Sequence, residues 1–385
     1  MRIGIFGGTF NPPHRGHLVA TRAAIDALEL DRLYVVPTGT PPHKPLPAGS
    51  PEPGDRHRLA QLLFAGEELV QVLDMEIKRP GPSYTVDTVK ALKAQHLGAD
   101  FFLLLGTDMF LSIEQWHRAE ELIRLATPAV FAREQGQGGE IAAYMGRIKD
   151  LYGIEPARIY HDILALSSTE IRDTLAARQG VELTGETVYR ELIRRGYYGA
   201  QVKFSWLREQ AYSMLLPSRV IHVQGTETEA VQLARRWNAD VDQAREAAIL
   251  HDITKGFDLA EQLRLCQKYD MIPDDMEKKC RKLLHAKTGA AIARYEFGVC
   301  DTVFSAIACH TTGRPDMSLA DKILYLADYI EPGRKFAEVS KLREMAYTAL
   351  DTAVEYGLQL SLEELRARGL PPHPRTRAAI DWYGR

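Results

Sequence analysis

Two groups of residues in this 385-residue chain have the types and spacing to do chemistry. The first lies in "GIFGGTFNPPHRGH", Gly4 to His17. Gly7 and Gly8 end an apolar run, and His14 and His17 follow three residues apart. On a helix that spacing puts both imidazoles on one face. A strand, a glycine turn and a helix start offer an anion outward-pointing N–H groups and a favourable dipole. Two imidazoles there could donate to phosphate oxygens as charge builds in a transition state. The same residues also fit a plain strand end followed by two solvated histidines. Neither a P-loop nor a G-x-G-x-x-G pattern is present. The second group is spread over "RVIHVQ", "AAILHDITKG", "KLLHAKTG", "AIACHTTG" and "ILYLADYIEP", which supply His222, His251, Asp252, His285, His310 and Asp328. Four imidazoles and two carboxylates are a metal-site inventory. One histidine on an apolar helix is more often a satisfied core residue. Five such segments in one helical region reverse that balance, because burying unpaired imidazoles costs free energy.

The elements that must position these groups follow from periodicity. Arg2–Phe6 reads as a buried strand, and Asn11 with Pro12-Pro13 suits the entry to a helix through "HRGHLVATRAAIDAL". "RLYVVPTG" reads as a strand, and residues 38–57, with six prolines, as a long surface loop, either lid or connector. A helix from about Arg56, a strand "VQVLDMEI", a Ser/Thr-capped helix "SYTVDTVKALKAQ", and strands "FFLLLG", "PAVFARE" and "ARIYHDI" follow, then the capped helix "SSTEIRDTLAARQ". Strands alternating with helices predict an α/β fold, a doubly wound parallel sheet that binds ligands at the carboxyl ends of its strands. Near residue 200 the pattern becomes helical throughout. Periods run over 209–216, 219–237, 242–252, 259–269, 276–297, 302–310, 319–329 and 339–360, so the second half is expected to be all-α. The boundaries we read are 1–198 and 205–385.

Composition narrows the function classes. The net charge of −3 gives no basic arm or membrane patch, so an anionic ligand needs a local site, and neither nucleic acid nor membrane is an expected partner. Cys266, Cys280, Cys300 and Cys309 include no C-x-x-C pair and read as reduced, mostly buried thiols of a cytoplasmic protein. The N-terminal apolar run is too short for a signal peptide, and "FFLLLG" too short for a membrane span. Oligomeric state stays open, a homo-oligomer included.

"GGTFNPPHRGH" resembles the H-x-G-H signature of the nucleotidyltransferase superfamily. "LSSTEIR", Leu166–Arg172, resembles its second signature, I-S-S-T-x-I-R, departing only at Leu166. "PPHK" (Pro41–Lys44), "PSYTVDTVKAL" (Pro82–Leu92) and "GTDMFLSIEQWH" (Gly106–His117) are similar to segments of the nicotinate-mononucleotide adenylyltransferases. The likeness covers about residues 1–195 and implies a Rossmann-like nucleotidyltransferase fold. It implies AMP transfer from ATP to nicotinate mononucleotide, with Mg²⁺ accompanying ATP. The mononucleotide's own phosphate is the nucleophile, so catalysis is positioning plus charge stabilisation. The resemblance makes His14, His17, Lys44 and Arg172 the catalytic set, acting on the phosphates. Gly7, Gly8, Thr9 and Phe10 approach ligand through backbone, and Ser168 and Thr169 hold the phosphate chain. Thr85, Gly106 and backbone near Asp108 read the pyridine carboxylate while Trp116 stacks on the ring. Another acceptor, phosphopantetheine or nicotinamide mononucleotide, keeps the same chemistry.

The order H…HD…H…H…D resembles the HD-domain metal-dependent phosphohydrolases. "HTTGRPDMS" and "ADYIEPGR" are similar to the bacterial branch that hydrolyses diadenosine tetraphosphate symmetrically to two ADP. That likeness, over about 205–385, implies an all-α HD domain and two divalent metals on the six ligands, with iron favoured by the resemblance and Mn or Zn also suited. It makes Lys255, Arg314 and Arg334 candidate phosphate contacts. The competing reading is a binding module that senses such a nucleotide.

Overall fold

The computed structural model describes residues 1–41, 46–47, 49–132, 138–160 and 167–384. The chain divides into two compact units, Met1–Gln201 and Val202–Arg385.

The first unit is built on six parallel strands: β1 (Arg2–Gly8), β2 (Arg32–Pro37), β3 (Val70–Val72), β4 (Asp100–Leu105), β5 (Thr127–Ala132) and β6 (Ala157–Tyr160), in the order β3-β2-β1-β4-β5-β6. Both faces are covered, as a parallel sheet requires. Ile3, Ile5, Leu103 and Leu105 pack into one apolar cluster with Val86, Val89 and Leu122. Their neighbours Phe102 and Leu104 pack into the other with Ala20, Ala24 and Phe64. The order turns back at β1 and β4, so their carboxyl ends, Gly7-Gly8 and Leu105-Gly106, flank the switch point where such sheets take ligands.

Several expected boundaries shift. β3 ends at Val72, because the chain beyond it turns Glu76 inward to accept from Thr88 Oγ1 at 2.7 Å. The loop expected over 38–57 ends early: Pro53 occupies a first-turn position of a helix Pro53–Phe64, where its missing N–H costs nothing. Helix Thr85–Gln95 lacks the side-chain cap read from its Ser and Thr. Helices Thr107–Leu111, Ala119–Leu125 and Gly138–Tyr152, two helices between Val181 and Arg195, and helix Pro374–Tyr383 form where the sequence periodicity predicts no element.

The second unit is helical among its described residues, as expected. Helix Pro217–Arg236 packs against Val241–Leu250 and Leu319–Ile330, and Arg281–Phe297 against Asp301–Cys309. The period over 339–360 is two helices, Val339–Thr348 and Leu350–Ala367, parted by an extended Ala349 at φ −149°. Leu342 and Ala346 on one side, and Ala353, Val354 and Leu358 on the other, are all buried, so packing sets a break that local propensity does not signal. Similarly, extended Cys280 separates a single turn at Glu277–Lys279 from the helix that follows. All four cysteines are free thiols, but only Cys266 and Cys309 are buried; Cys300 is exposed. Among the described residues no helix is long and apolar enough to cross a membrane.

Candidate functional site

In the first unit the loop after β1 is the centre of a hydrogen-bonded assembly. Phe10 takes φ +47° and is buried against Phe6, Phe64 and His17. Helix Arg15–Leu28 then begins at His14. His17 Nδ1 accepts the His14 backbone N–H at 3.2 Å, so a neutral His17 carries its proton on Nε2, a donor. The two rings lie 3.8 Å apart. Burial lowers His14 to about 4, and burial followed by the His14 charge holds His17 well below its ordinary value. Both are therefore neutral donors at neutral pH. His14 Nδ1 is buried and has no protein partner, which marks it as a group that a ligand oxygen would satisfy.

Arg172 reaches this loop from 161 residues away: one guanidinium nitrogen donates to Asn11 O at 2.8 Å and the other to Thr169 Oγ1 at 2.9 Å. Helix Ser168–Ala176, capped reciprocally by Ser167 and Glu170, carries Ser168, Thr169 and Arg172. The buried Asn11 side chain is held by Tyr198, whose hydroxyl donates to Oδ1 at 2.6 Å, and by Ser50. Beneath lies Arg56, fully buried, with its fork donating to Thr9 O (2.6 Å), Thr38 O (2.7 Å) and Gly39 O (2.9 Å). Asn11, expected from sequence to open the helix, lies three residues before its His14 cap and instead ties this loop to Tyr198 and Arg172; Arg56 and Tyr198 carry no such signal in the sequence.

Beside the loop is a cavity of about 450 Å³. Gly7, Gly8, Thr9, Thr85, Gly106 and Trp116 line it, so six of the expected ligand-facing residues converge, from the end of β1 and the loop after it, the start of helix Thr85–Gln95, and the chain just beyond β4. Apolar walls with a few convergent polar groups suit a planar heterocycle. Tyr84 and His117, stacked with centroids 4.2 Å apart, add an aromatic wall absent from the sequence reading. Asp108 is exposed and does not line the cavity. Lys44 lies outside the described residues.

In the second unit the six expected metal ligands come together. Asp252 is the hinge of the cluster. Its Oδ1 faces His285 Nε2 (3.0 Å) and His310 Nε2 (3.6 Å); its Oδ2 faces His251 Nε2 (3.4 Å) and His222 Nε2 (3.8 Å). His222 Nε2 is also 3.0 Å from Asp328 Oδ1. The outer ring nitrogens explain this convergence. Nδ1 of His251, His285 and His310 lies 2.7, 2.8 and 2.7 Å from the carbonyls of Ala248, Lys282 and Ile307. A carbonyl only accepts, so each Nδ1 holds the proton and each Nε2 presents a lone pair inward. His285 and His310 turn those lone pairs on one another across 3.1 Å, an arrangement that a cation stabilises. Burial, then the Lys255 charge, lowers His285 to about 3, and burial lowers His310. Burial opposes ionisation of Asp252 and Asp328, but the His251 charge beside Asp252 and the His222 hydrogen bond to Asp328 hold both well below the carboxylate range; the two carboxylates in turn raise His251 against its burial, and a bound cation would displace that proton. His251 Nε2 is fully buried with no hydrogen-bond partner. Nitrogen lone pairs and carboxylates converging on a buried point fit divalent transition-metal ions and are a poor match for an all-oxygen Mg²⁺ cage.

Cations surround the cluster. Arg219, one turn before His222 and missed from sequence, grips Asp252 Oδ2. Lys255 Nζ lies 3.2 Å from both Asp252 Oδ1 and His285 Nε2. Arg334 donates to Asp328 Oδ1 at 2.7 Å. Arg314 instead donates twice to Asp321, the buried residue that completes the cap of helix Leu319–Ile330. A further trio, Asp274, Glu277 and His373, is close enough to hold an ion. Its charges are already met: Lys287 is 2.5 Å from Glu277, and His373 accepts the Arg375 N–H at Nδ1, leaving Nε2 to donate to Asp274.

A family model described as Cytidylyltransferase-like matches residues 5–174, and the HD domain model matches residues 219–333. A probable nicotinate-nucleotide adenylyltransferase of Gloeobacter violaceus is 41% identical over 199 residues, 51% of this chain and 96% of that protein. One from Albidiferax ferrireducens is 39% identical over 200 residues, 51% of this chain and 98% of that protein. A Clostridium acetobutylicum crystal structure, described as a predicted HD superfamily hydrolase involved in NAD metabolism, is 32% identical, with a TM-score of 0.46, over 47% of this chain and 96% of that one.

Proposed function

Because the first half of the chain belongs to the nicotinate-nucleotide adenylyltransferase family, we propose that this unit transfers AMP from ATP to nicotinate mononucleotide. The mononucleotide's phosphate oxygen attacks the α-phosphorus of ATP, the bond to the β-phosphate breaks, and pyrophosphate leaves. No side chain is required as nucleophile. His17 Nε2–H and His14 face the phosphates as neutral donors, stabilising charge where it develops. Arg172 acts twice, on the loop carbonyl of Asn11 and, through Thr169, on the helix start that holds the phosphate chain. The pyridine ring occupies the cavity between Trp116, Thr85 and Gly106. The orphaned His14 Nδ1 beside this cavity-forming loop carries the reading. Pyrophosphate release with ATP and nicotinate mononucleotide, nicotinamide mononucleotide or phosphopantetheine as acceptor tests it; turnover only with one of the latter two overturns the substrate.

The second unit is an HD domain whose residues suit two divalent cations, one on His222, His251, Asp252 and Asp328, the other on Asp252, His285 and His310. Such ions supply Lewis acidity at phosphorus. Around them, Lys255 and Arg334, with Arg219, would bind and orient a polyphosphate. We read its substrate as diadenosine tetraphosphate, cut symmetrically to two ADP, and its metal as iron, with manganese or zinc also suited. The split face of Asp252 carries the hydrolase part of this reading, and the likeness of "HTTGRPDMS" and "ADYIEPGR" carries the substrate. The full chain, loaded in turn with Fe, Mn and Zn, should release ADP alone from diadenosine tetraphosphate. ATP plus AMP as products would overturn the symmetric cut, and binding without turnover would favour a sensing module.

A further inference from the structure

One carboxylate beside the metal cluster is not accounted for by ligand chemistry. Glu331 is 5% exposed, three residues beyond Asp328. Its Oε1 lies 3.1 Å from His222 Nδ1, so His222, alone of the four histidines, is backed by a carboxylate instead of a backbone carbonyl. Glu331 Oε2 accepts the Gly333 N–H at 2.5 Å, and the Arg334 guanidinium lies 3.8 Å from Oε1. The helix around His222 is shaped to admit this group. Gly225 sits inside helix Pro217–Arg236, where glycine is unfavourable relative to alanine. A Cβ there would stand 2.7 Å from Glu331 Oε2; at Gly333 it would stand 2.9 Å away. Two glycines thus clear the space that the carboxylate fills.

We propose that Glu331 is a positioning residue for the metal centre: it holds His222 Nδ1 so that Nε2 faces Asp328, and it makes the His222–His251–Asp328 half bind its divalent cation more tightly. This rests on reading the cluster as a two-metal site. A carboxylate behind an imidazole fixes the tautomer and raises the basicity of the ligating nitrogen more than a carbonyl does, and loss of such a partner commonly costs 10–100-fold in metal affinity. His285 and His310, backed only by carbonyls, form the weaker half.

The test uses the full chain stripped by chelator and titrated with Mn²⁺ against a chromophoric competitor, with bound metal counted by plasma mass spectrometry. The wild type should take two equivalents in two steps. Glu331→Gln should weaken the tighter step by about tenfold or more and leave the other unchanged. Gly225→Ala should do the same by displacing the carboxylate, since its Cβ would stand 2.7 Å from Oε2. Wild-type affinities at both steps in both variants would overturn the proposal, even if Glu331→Gln melts lower. A wild type that takes no metal would overturn the two-metal reading itself, a different result.

Discussion

Arg56→Met should unseat the adenylyl-transfer site without touching a ligand. The substitution keeps the apolar stem and removes the fork. Three loop carbonyls, those of the half-buried Thr9, Thr38 and Gly39, then lose a charge-assisted donor at 2.6–2.9 Å from a fully buried side chain. Each unsatisfied buried acceptor costs about 1–3 kcal/mol. Against this, the variant no longer desolvates a guanidinium whose ionisation burial already disfavours, a relief of several kcal/mol. We expect a net destabilisation of about 3 kcal/mol, which for the unit Met1–Gln201 is a drop of roughly 6–12 °C in its melting transition. Thr9 and Thr38 line the cavity, so their loosening should also lower adenylyl transfer, measured well below the transition, by on the order of 10–100-fold. Calorimetry of the full chain resolves the effect, because the transition of the helical unit and its metal content should not move. Arg56→Lys, which cannot span three carbonyls, should fall between. A shift under about 2 °C together with wild-type transfer would show that the fork does not hold these loops.

His17→Ala should cut pyrophosphate release by at least about 100-fold, the usual cost of one donor aimed at transition-state charge, with bound metal unchanged; a loss below tenfold would mean Nε2–H does not face that charge. Asp252→Ala should empty both metal positions, since each of its oxygens faces a different pair of histidines; two retained equivalents by plasma mass spectrometry would refute the ligand assignment. His14 titrates near 6.5 when unfolded and near 4 when folded, because burial disfavours its charge. Between those values the unfolded chain binds the extra proton, so this stability is complete above pH 6.5 and falls by up to about 3 kcal/mol towards pH 4. Denaturant midpoints at pH 7.5 and 4.5 should therefore diverge less in His14→Gln than in the wild type, and equal divergence would contradict the assignment.

The fold class was legible because each strand announces itself. "FFLLLG" is apolar on both faces, and its alternate residues do enter separate clusters. Elements decided by packing were harder to see. Nothing local marks Ala349 as a break, and helix Gly138–Tyr152 has only Ile141 and Ile148 fully buried, too faint an apolar face to read from spacing.

The two sites differ in legibility for a chemical reason. A metal accepts few donor types, so four histidines and two aspartates stand out by identity as a candidate ligand set, and the structure gathers all six around Asp252. The proposed phosphate site would work largely through backbone, whose supports have no required identity. Arg56, Asn11 and Tyr198 act on carbonyls or on one another, and any fork or hydroxyl of similar reach would leave the loop carbonyls just as well held. Glu331 stands between these cases. Its place in "ADYIEPGR" signals no role, because a carboxylate behind an imidazole differs from a solvated glutamate only through its neighbours. The signal was Gly225: a glycine inside a helix is a local cost, and such costs persist where something else must fit. What fits is the Glu331 carboxylate, at a distance that no side chain on residue 225 would permit.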